Sequence, residues 1–170
     1  MKKKWLFLRW TLTFILTIIA SFVIWKLGGF QSAWKLDATK ITFLIIFCFA
    51  LITCYCGMLS WKLSNITDLT IVDKNSLRLI EIKLEHGWYT VSLCESLGYL
   101  GTIAGLIMVF VAFESLSNYN EEAIKKLIND IYPGFQTAFI TTLAGLICSN
   151  ILRFQCHNIY MGIQEAKHGE

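Results

Sequence analysis

The chain has 170 residues, of which 55% are hydrophobic and only 16% are charged, and its mean hydropathy is +0.56. A soluble domain carries about 25% charged residues, so this composition excludes one and indicates a membrane protein that contacts the lipid bilayer. The net charge of +3 is too small and too scattered for a nucleic-acid-binding surface. A chain of this length forms one compact unit, so we expect residues 1–170 to be a single transmembrane domain.

Four apolar runs predict an all-α integral membrane protein with four transmembrane helices. Each run reaches the roughly 17 residues that a spanning helix needs. The expected spans are 6–30, 41–61, 95–115 and 131–153. The first span follows a group of basic residues and shows no small-residue cleavage site, which favours an uncleaved signal anchor.

The polar segment 62–92 joins the second span to the third. Ile80, Ile82 and Leu84 alternate with charged residues, as in a strand, whereas Leu77, Ile80 and Leu84 also share one face of a helix. We favour helical extensions of the two spans. The polar composition also makes this segment a candidate docking site for a cytoplasmic partner.

The distribution of Lys and Arg predicts the orientation. Residues 1–9, 62–92 and 153–170 carry four, four and two basic residues, whereas residues 26–40 and 116–130 carry three and two. Basic loops stay on the cytoplasmic side of a membrane. We therefore expect both termini in the cytoplasm.

The third and fourth spans differ from the bulky, aromatic first two in carrying stripes of small residues at spacings of three and four. The stripes comprise Gly98, Gly101 and Gly105 in the third span, and Gly134, Ala138, Gly145 and Ser149 in the fourth. Helices associate in lipid through close packing and polar contacts, which small residues permit. These two spans are therefore the expected inner pair of a homo-oligomeric ring.

Two threonines, Thr102 and Thr142, lie within these stripes. If they lined a pore, their hydroxyls would offer contacts to water or ions. Alternatively, each hydroxyl donates to the carbonyl one turn back, as intramembrane threonines commonly do. The spacing alone leaves both interpretations open.

Glu95 and Arg153 stand where the third span begins and the fourth ends. They are a candidate ion pair between the two inner helices. The alternative is that each side chain extends separately to lipid headgroups.

The sequence offers no catalytic or metal-binding pattern. Cys54 and Cys56 face different sides of a helix, and Cys156 with His157 forms an isolated pair, so we expect no metal site. No nucleophile has a nearby base and no glycine-rich phosphate loop occurs. We therefore expect a protein that is not an enzyme and has no cofactor.

The two inner spans carry motifs of a known family. Residues 97–110 read LGYLGTIAGLIMVF, with an LGxLGTxxG segment, and residues 133–152 read PGFQTAFITTLAGLICSNIL, with PG, small residues, Thr and AGL. In this order on adjacent spans, the motifs resemble the MotA/TolQ/ExbB proton-channel family. The four-span layout resembles MotA more than the three-span TolQ and ExbB.

The resemblance implies a ring, a pentamer, around two copies of a single-span membrane partner in the bacterial inner membrane. The partner would carry an intramembrane Asp, and proton or sodium passage past it would drive mechanical work. Thr102 matches the threonine of the LGTxxG motif, and Thr142 matches the threonine before the Gly-Leu of the last span. The resemblance therefore implies that both threonines line the pore.

Several positions depart from the family pattern. Glu95 stands where the family usually has proline, and Thr137 stands where ExbB-type members have glutamate. No acidic or basic residue lies deep within a span, so a partner must supply the titrating group. The large cytoplasmic domain with which MotA contacts the flagellar rotor is absent between the second and third spans. This argues against flagellar torque and for a specialised apparatus, such as an envelope energiser or a phage-defence complex.

A function of another class stays open. The chain could form a non-conducting oligomeric scaffold or sensor that anchors a cytoplasmic effector, for example in phage defence. The lack of deep carboxylates and the polar segment 62–92 favour this alternative.

Overall fold

The computed structural model describes residues 5–66, 74–114 and 120–168, and these residues form helices, turns and no strand. The helices are α1 (Trp5–Lys26), α2 (Gly29–Leu36), α3 (Ile41–Ile66), α4 (Lys74–Glu114) and α5 (Glu121–His168). Four of them, all but α2, are long and apolar enough to cross a membrane. The all-helical fold with four candidate spans is therefore confirmed.

The first span ends earlier than the sequence predicts. The expected span was 6–30, but α1 ends at Lys26 and α2 begins at Gly29. Gly28, between the two helices, has a φ of 72°, a left-handed conformation that terminates helices and that glycine adopts without steric cost. Hydropathy alone does not reveal this break, because Leu27, Gly29 and Phe30 around it are uncharged.

Helices α3, α4 and α5 all extend past the expected spans. Helix α3 continues to Ile66 and α4 begins at Lys74, so the described parts of segment 62–92 are helical, including the stretch 77–84. The joining residues 67–73 lie outside the described residues. Helix α5 contains Pro133, which lacks the N–H for a bond to the previous turn, yet the helix runs through it.

The fold is organised around an antiparallel hairpin of α4 and α5, against which α3 packs. The largest apolar cluster joins all three helices where α4 begins and α5 ends, a region that we call the tail segment (residues 74–95 and 153–168). The buried members of this apolar cluster are Cys56, Leu59, Leu63, Leu77, Ile80, Leu84, Val91, Cys94, Leu152, Cys156, Ile159 and Ile163. Helix α1 lies at the margin of this core: Trp10 packs against the cluster, but no residue of Phe7–Lys26 is buried. Many of its large apolar side chains are exposed, as in a lipid-facing helix.

Candidate functional site

Glycines bring the backbones of α4 and α5 into contact within the spans. A Cβ atom added to Gly145 would lie 2.9 Å from the Cα of Gly98, and one added to Gly134 would lie 2.6 Å from the carbonyl oxygen of Gly105. A Cβ on Gly105 would also meet the backbone nitrogen of Ala138 at 2.7 Å. Side chains at these positions would force the two helices apart. The small residues thus fix the α4–α5 contact inside one subunit.

Thr102 and Thr142 meet across this contact. Their Oγ1 atoms are within hydrogen-bonding distance of one another. Each hydroxyl also lies within hydrogen-bonding distance of the carbonyl one turn back, Thr102 of Gly98 at 3.1 Å and Thr142 of Ala138 at 2.8 Å. Because a hydroxyl has one proton, one threonine donates to the other while the second donates to its own carbonyl. Both side chains are half-buried. The two threonines therefore form one polar unit at an edge of the hairpin, with hydroxyl lone pairs left to accept further bonds.

Glu95 and Arg153 also meet between α4 and α5. Arg153 Nη2 lies 2.8 Å from Glu95 Oε1, and the hydroxyl of Ser149 shares its proton between the same carboxylate oxygen at 3.4 Å and the carbonyl of Leu146 at 3.1 Å. Ser149 sits at the level of Glu95, so the long side chain of Arg153 reaches back about one turn, or 5 Å, to make the pair. Ser149 thus contributes a hydrogen bond as well as its small size.

These two polar groups lie on the same edge of the hairpin. Glu95 and Thr102 are seven residues apart, close to two helical turns, so both point along one side of α4. Fourteen residues before Glu95, Glu81 pairs with Lys167 of α5, with Nζ to carboxylate distances of 2.8 and 3.0 Å. We call the row within and beside the spans the polar edge; it comprises Glu95, Thr102, Thr142, Ser149 and Arg153. The Glu81–Lys167 pair lies beyond this edge, in the tail segment.

Sequence reasoning missed a second polar contact, which lies away from the polar edge. The buried hydroxyl of Thr137 accepts a hydrogen bond from the N–H of Ala38 at 3.1 Å and donates to the carbonyl of Leu36 at 3.2 Å. These two hydrogen bonds therefore hold the turn between α2 and α3 against α5. The substitution of the family glutamate by Thr137 was visible in the sequence, but no pattern linked it to a residue about a hundred positions earlier.

The same turn is organised by a fully buried carboxylate. Asp37 is 0% exposed and accepts hydrogen bonds from the backbone N–H groups of Thr39, Lys40 and Thr42 at 2.8 to 3.0 Å, and from the Thr39 hydroxyl at 2.7 Å. Burial alone would raise the pKa of this carboxyl, but the hydrogen bonds from Thr42 and Thr39 hold its pKa below the ordinary value. Asp37 thus stabilises the start of α3 as a charged capping group.

The chemistry that this chain offers is polar solvation and not proton transfer through its own carboxylates. Between residues 96 and 113 of α4, and between residues 131 and 152 of α5, no acidic or basic side chain occurs. Among the described residues, no three His, Cys, Asp or Glu side chains are grouped as metal ligands. Within the spans, the hairpin edge brings the hydroxyls of Thr102 and Thr142 together.

Comparison with known proteins shows which family the chain belongs to. A family model described as the MotA/TolQ/ExbB proton channel family matches residues 77–168, which cover all but the first three residues of α4 and the whole of α5. No curated protein and no solved structure matches the chain. The match contains the whole α4–α5 hairpin, its glycine contacts and its polar edge. With four candidate spans and this match over more than half its length, the chain is a multi-pass membrane protein that belongs to the MotA/TolQ/ExbB proton channel family.

Proposed function

We propose that this protein is the ring-forming subunit of a proton or sodium channel in the bacterial inner membrane. In this arrangement both termini lie in the cytoplasm and the tail segment projects about 30 Å from the membrane. The chain assembles as a homo-oligomer, a pentamer, around a single-span partner. Ion movement between ring and partner does mechanical work.

The Thr102–Thr142 unit is the observation that carries this proposal. Two hydroxyls from neighbouring helices meet at a half-buried edge inside the spans, in stretches of α4 and α5 that carry no acidic or basic side chain. In a lipid-facing position such a unit would gain nothing from its exposure, whereas in a pore it solvates a passing ion or a partner carboxylate.

The partner must contribute the titrating group. A carboxylate held in a membrane is costly unless water and hydroxyls surround it. Within residues 96–113 and 131–152 the hairpin supplies hydroxyls and no carboxylate, so the complementary partner is a transmembrane helix with an intramembrane Asp. In this complex the partner helix carries the charge and the hydroxyls of the ring solvate it.

A non-conducting scaffold is the second candidate. The tail segment exposes large apolar side chains outside the spans, including Leu79, Tyr89, Phe154 and Met161, which are 42% to 72% exposed. A cytoplasmic effector, for example one used in phage defence, could cover this surface together with the described parts of segment 62–92. Neighbouring subunits of the ring would cover it equally well.

Native mass spectrometry separates the two candidates. The complex would be extracted in mild detergent after co-expression with its genomic neighbours, and both subunit types would be counted. Five copies with two copies of a single-span protein are the expected result. A ring bound only to a soluble protein would contradict the channel and favour the scaffold.

A further inference from the structure

We propose that Glu95 and Arg153 set the electrostatic barrier to cations at the cytoplasmic mouth of the pore. The positive charge of Arg153 raises this barrier, and the negative charge of Glu95 offsets that effect. The inference rests on the proposed channel function and adds to it a pair of residues that position charge and do not contact the ion inside the membrane.

The position of the pair on the polar edge is the first step. Glu95 is seven residues from Thr102, about 10 Å along α4, on the same side of the helix. The side chains of Arg153 and Glu95 are 49% and 25% exposed, so the pair faces open space at this edge. An ion that has left the Thr102–Thr142 unit towards the cytoplasm reaches this pair next.

The isolation of the pair is the second step. The next ion pair between α4 and α5, Glu81 with Lys167 in the tail segment, lies fourteen residues before Glu95 on α4, about 20 Å away. The Debye length in physiological salt is about 8 Å, so that distant pair has little influence at the mouth. Glu95 and Arg153 therefore dominate the local potential along this edge.

Their mutual neutralisation is the third step. Five arginines around a mouth would repel cations, as rings of basic side chains do in anion-selective pores. The contact of 2.8 Å between Arg153 and Glu95, reinforced by the Ser149 hydroxyl, leaves the mouth close to neutral. Removing one partner uncovers the charge of the other, so the two removals must have opposite effects on cation flux.

The first experiment measures proton influx into liposomes that contain the complex with its single-span partner and a pH-sensitive dye. We expect Glu95→Gln to lower the influx by about threefold to tenfold, and Arg153→Gln to raise it by a similar factor. The double substitution and Arg153→Lys should both stay near the original rate. Glu81→Gln and Lys167→Gln, a matched pair in the tail segment, should leave it unchanged. Losses of the same sign for Glu95→Gln and Arg153→Gln would overturn the inference.

The second experiment does not require conduction. In a Cys48→Ser and Cys54→Ser background, which removes the two cysteines that are not buried, Leu146→Cys places a thiol on α5 between Thr142 and Arg153, at a position that is 40% exposed. Reaction rates with a cationic and an anionic thiosulfonate are compared in lipid nanodiscs. We expect Arg153→Gln to raise the cationic-to-anionic rate ratio about threefold to tenfold and Glu95→Gln to lower it.

The two experiments distinguish a failure of the proposed channel function from a failure of the proposed role of Glu95 and Arg153. Ile15→Cys on the lipid-facing helix α1 serves as the control that should not react. An unreactive thiol at residue 146, or a ratio that neither charge substitution shifts, would overturn the role of the pair even if the complex conducts. A shifted ratio in a complex without any ion flux would support the charged mouth and contradict the channel.

Discussion

Gly98 and Gly145 bring α4 and α5 so close that a Cβ on Gly145 would lie 2.9 Å from the Cα of Gly98 and 3.0 Å from the carbonyl oxygen of Cys94. At this level the backbones of the two helices are in direct contact. This differs from the tail segment, where Leu, Ile and Val fill the interface. This close approach of the two backbones within the spans brings the Thr102 and Thr142 hydroxyls within hydrogen-bonding distance.

The first prediction concerns this backbone contact. Gly105→Ala should destabilise the protein by about 1 to 3 kcal/mol, because the new methyl group would meet the Gly134 carbonyl oxygen at 2.5 Å and the Ala138 nitrogen at 2.7 Å. Backbone atoms cannot move aside as a flexible side chain does. Thermal unfolding in detergent would measure the loss.

Gly87→Ala is the matched control. Its methyl group would meet only side chains, with the Cys156 sulfur nearest at 3.1 Å. Both substitutions gain about 1 kcal/mol of helix propensity, so the difference between them reports the contact alone. Equal stability of the two variants would contradict the backbone contact between α4 and α5.

The second prediction concerns the pore hydroxyls. Thr102→Val or Thr142→Val should reduce proton influx into liposomes about tenfold, because the isosteric change removes a hydroxyl that contributes roughly 1 to 1.5 kcal/mol. The double substitution should cost less than the two single losses combined, since the hydroxyls act as one hydrogen-bonded unit. Thr→Ser at either position should retain most of the influx.

Thr141→Val is the control for these variants. Thr141 directly precedes Thr142 on α5, but its fully buried hydroxyl donates to the carbonyl groups of Thr137 and Ala138 inside the protein. The proposed pore lining does not use it, so the influx should not change. A tenfold loss in this variant as well would show that helix packing, and not the polar edge, accounts for the effect.

Local periodicity explains what could be predicted from the sequence. Gly98, Gly101 and Gly105 mark one helix face by their spacing alone, and span lengths follow from hydropathy. The break at Gly28 and the turn at Asp37 were not predictable in this way. They depend on a left-handed backbone angle and on a hydrogen bond between the turn and Thr137, about a hundred residues later. Periodicity contains no information about contacts of that kind.

The third prediction concerns Thr137. Thr137→Val should weaken the attachment of the α2–α3 turn to α5, because the Ala38 N–H and the Leu36 carbonyl both lose their partner. We expect a loss of about 1 to 3 kcal/mol, the cost of leaving such groups unsatisfied. Hydrogen exchange at residues 36–42 should accelerate. Thr137→Ser keeps the hydroxyl and should restore slow exchange; fast exchange in both variants would contradict the role of the hydrogen bonds.

The fourth prediction follows from the lowered pKa of Asp37. Asp37→Ala should reduce stability by about 0.5 to 2 kcal/mol at neutral pH, since the start of α3 loses its charged acceptor. The ionised carboxylate is favoured in the folded state, so its contribution is present above the ordinary pKa of 3.8 and is lost as the pH falls through the lower folded value. The stability difference between the two proteins, measured by thermal unfolding in detergent, should therefore shrink below pH 3.8. Asp37→Asn keeps an acceptor oxygen without the charge, so its stability should show no titration from this site. A difference that widens on acidification would mean that Asp37 is held in its protonated form.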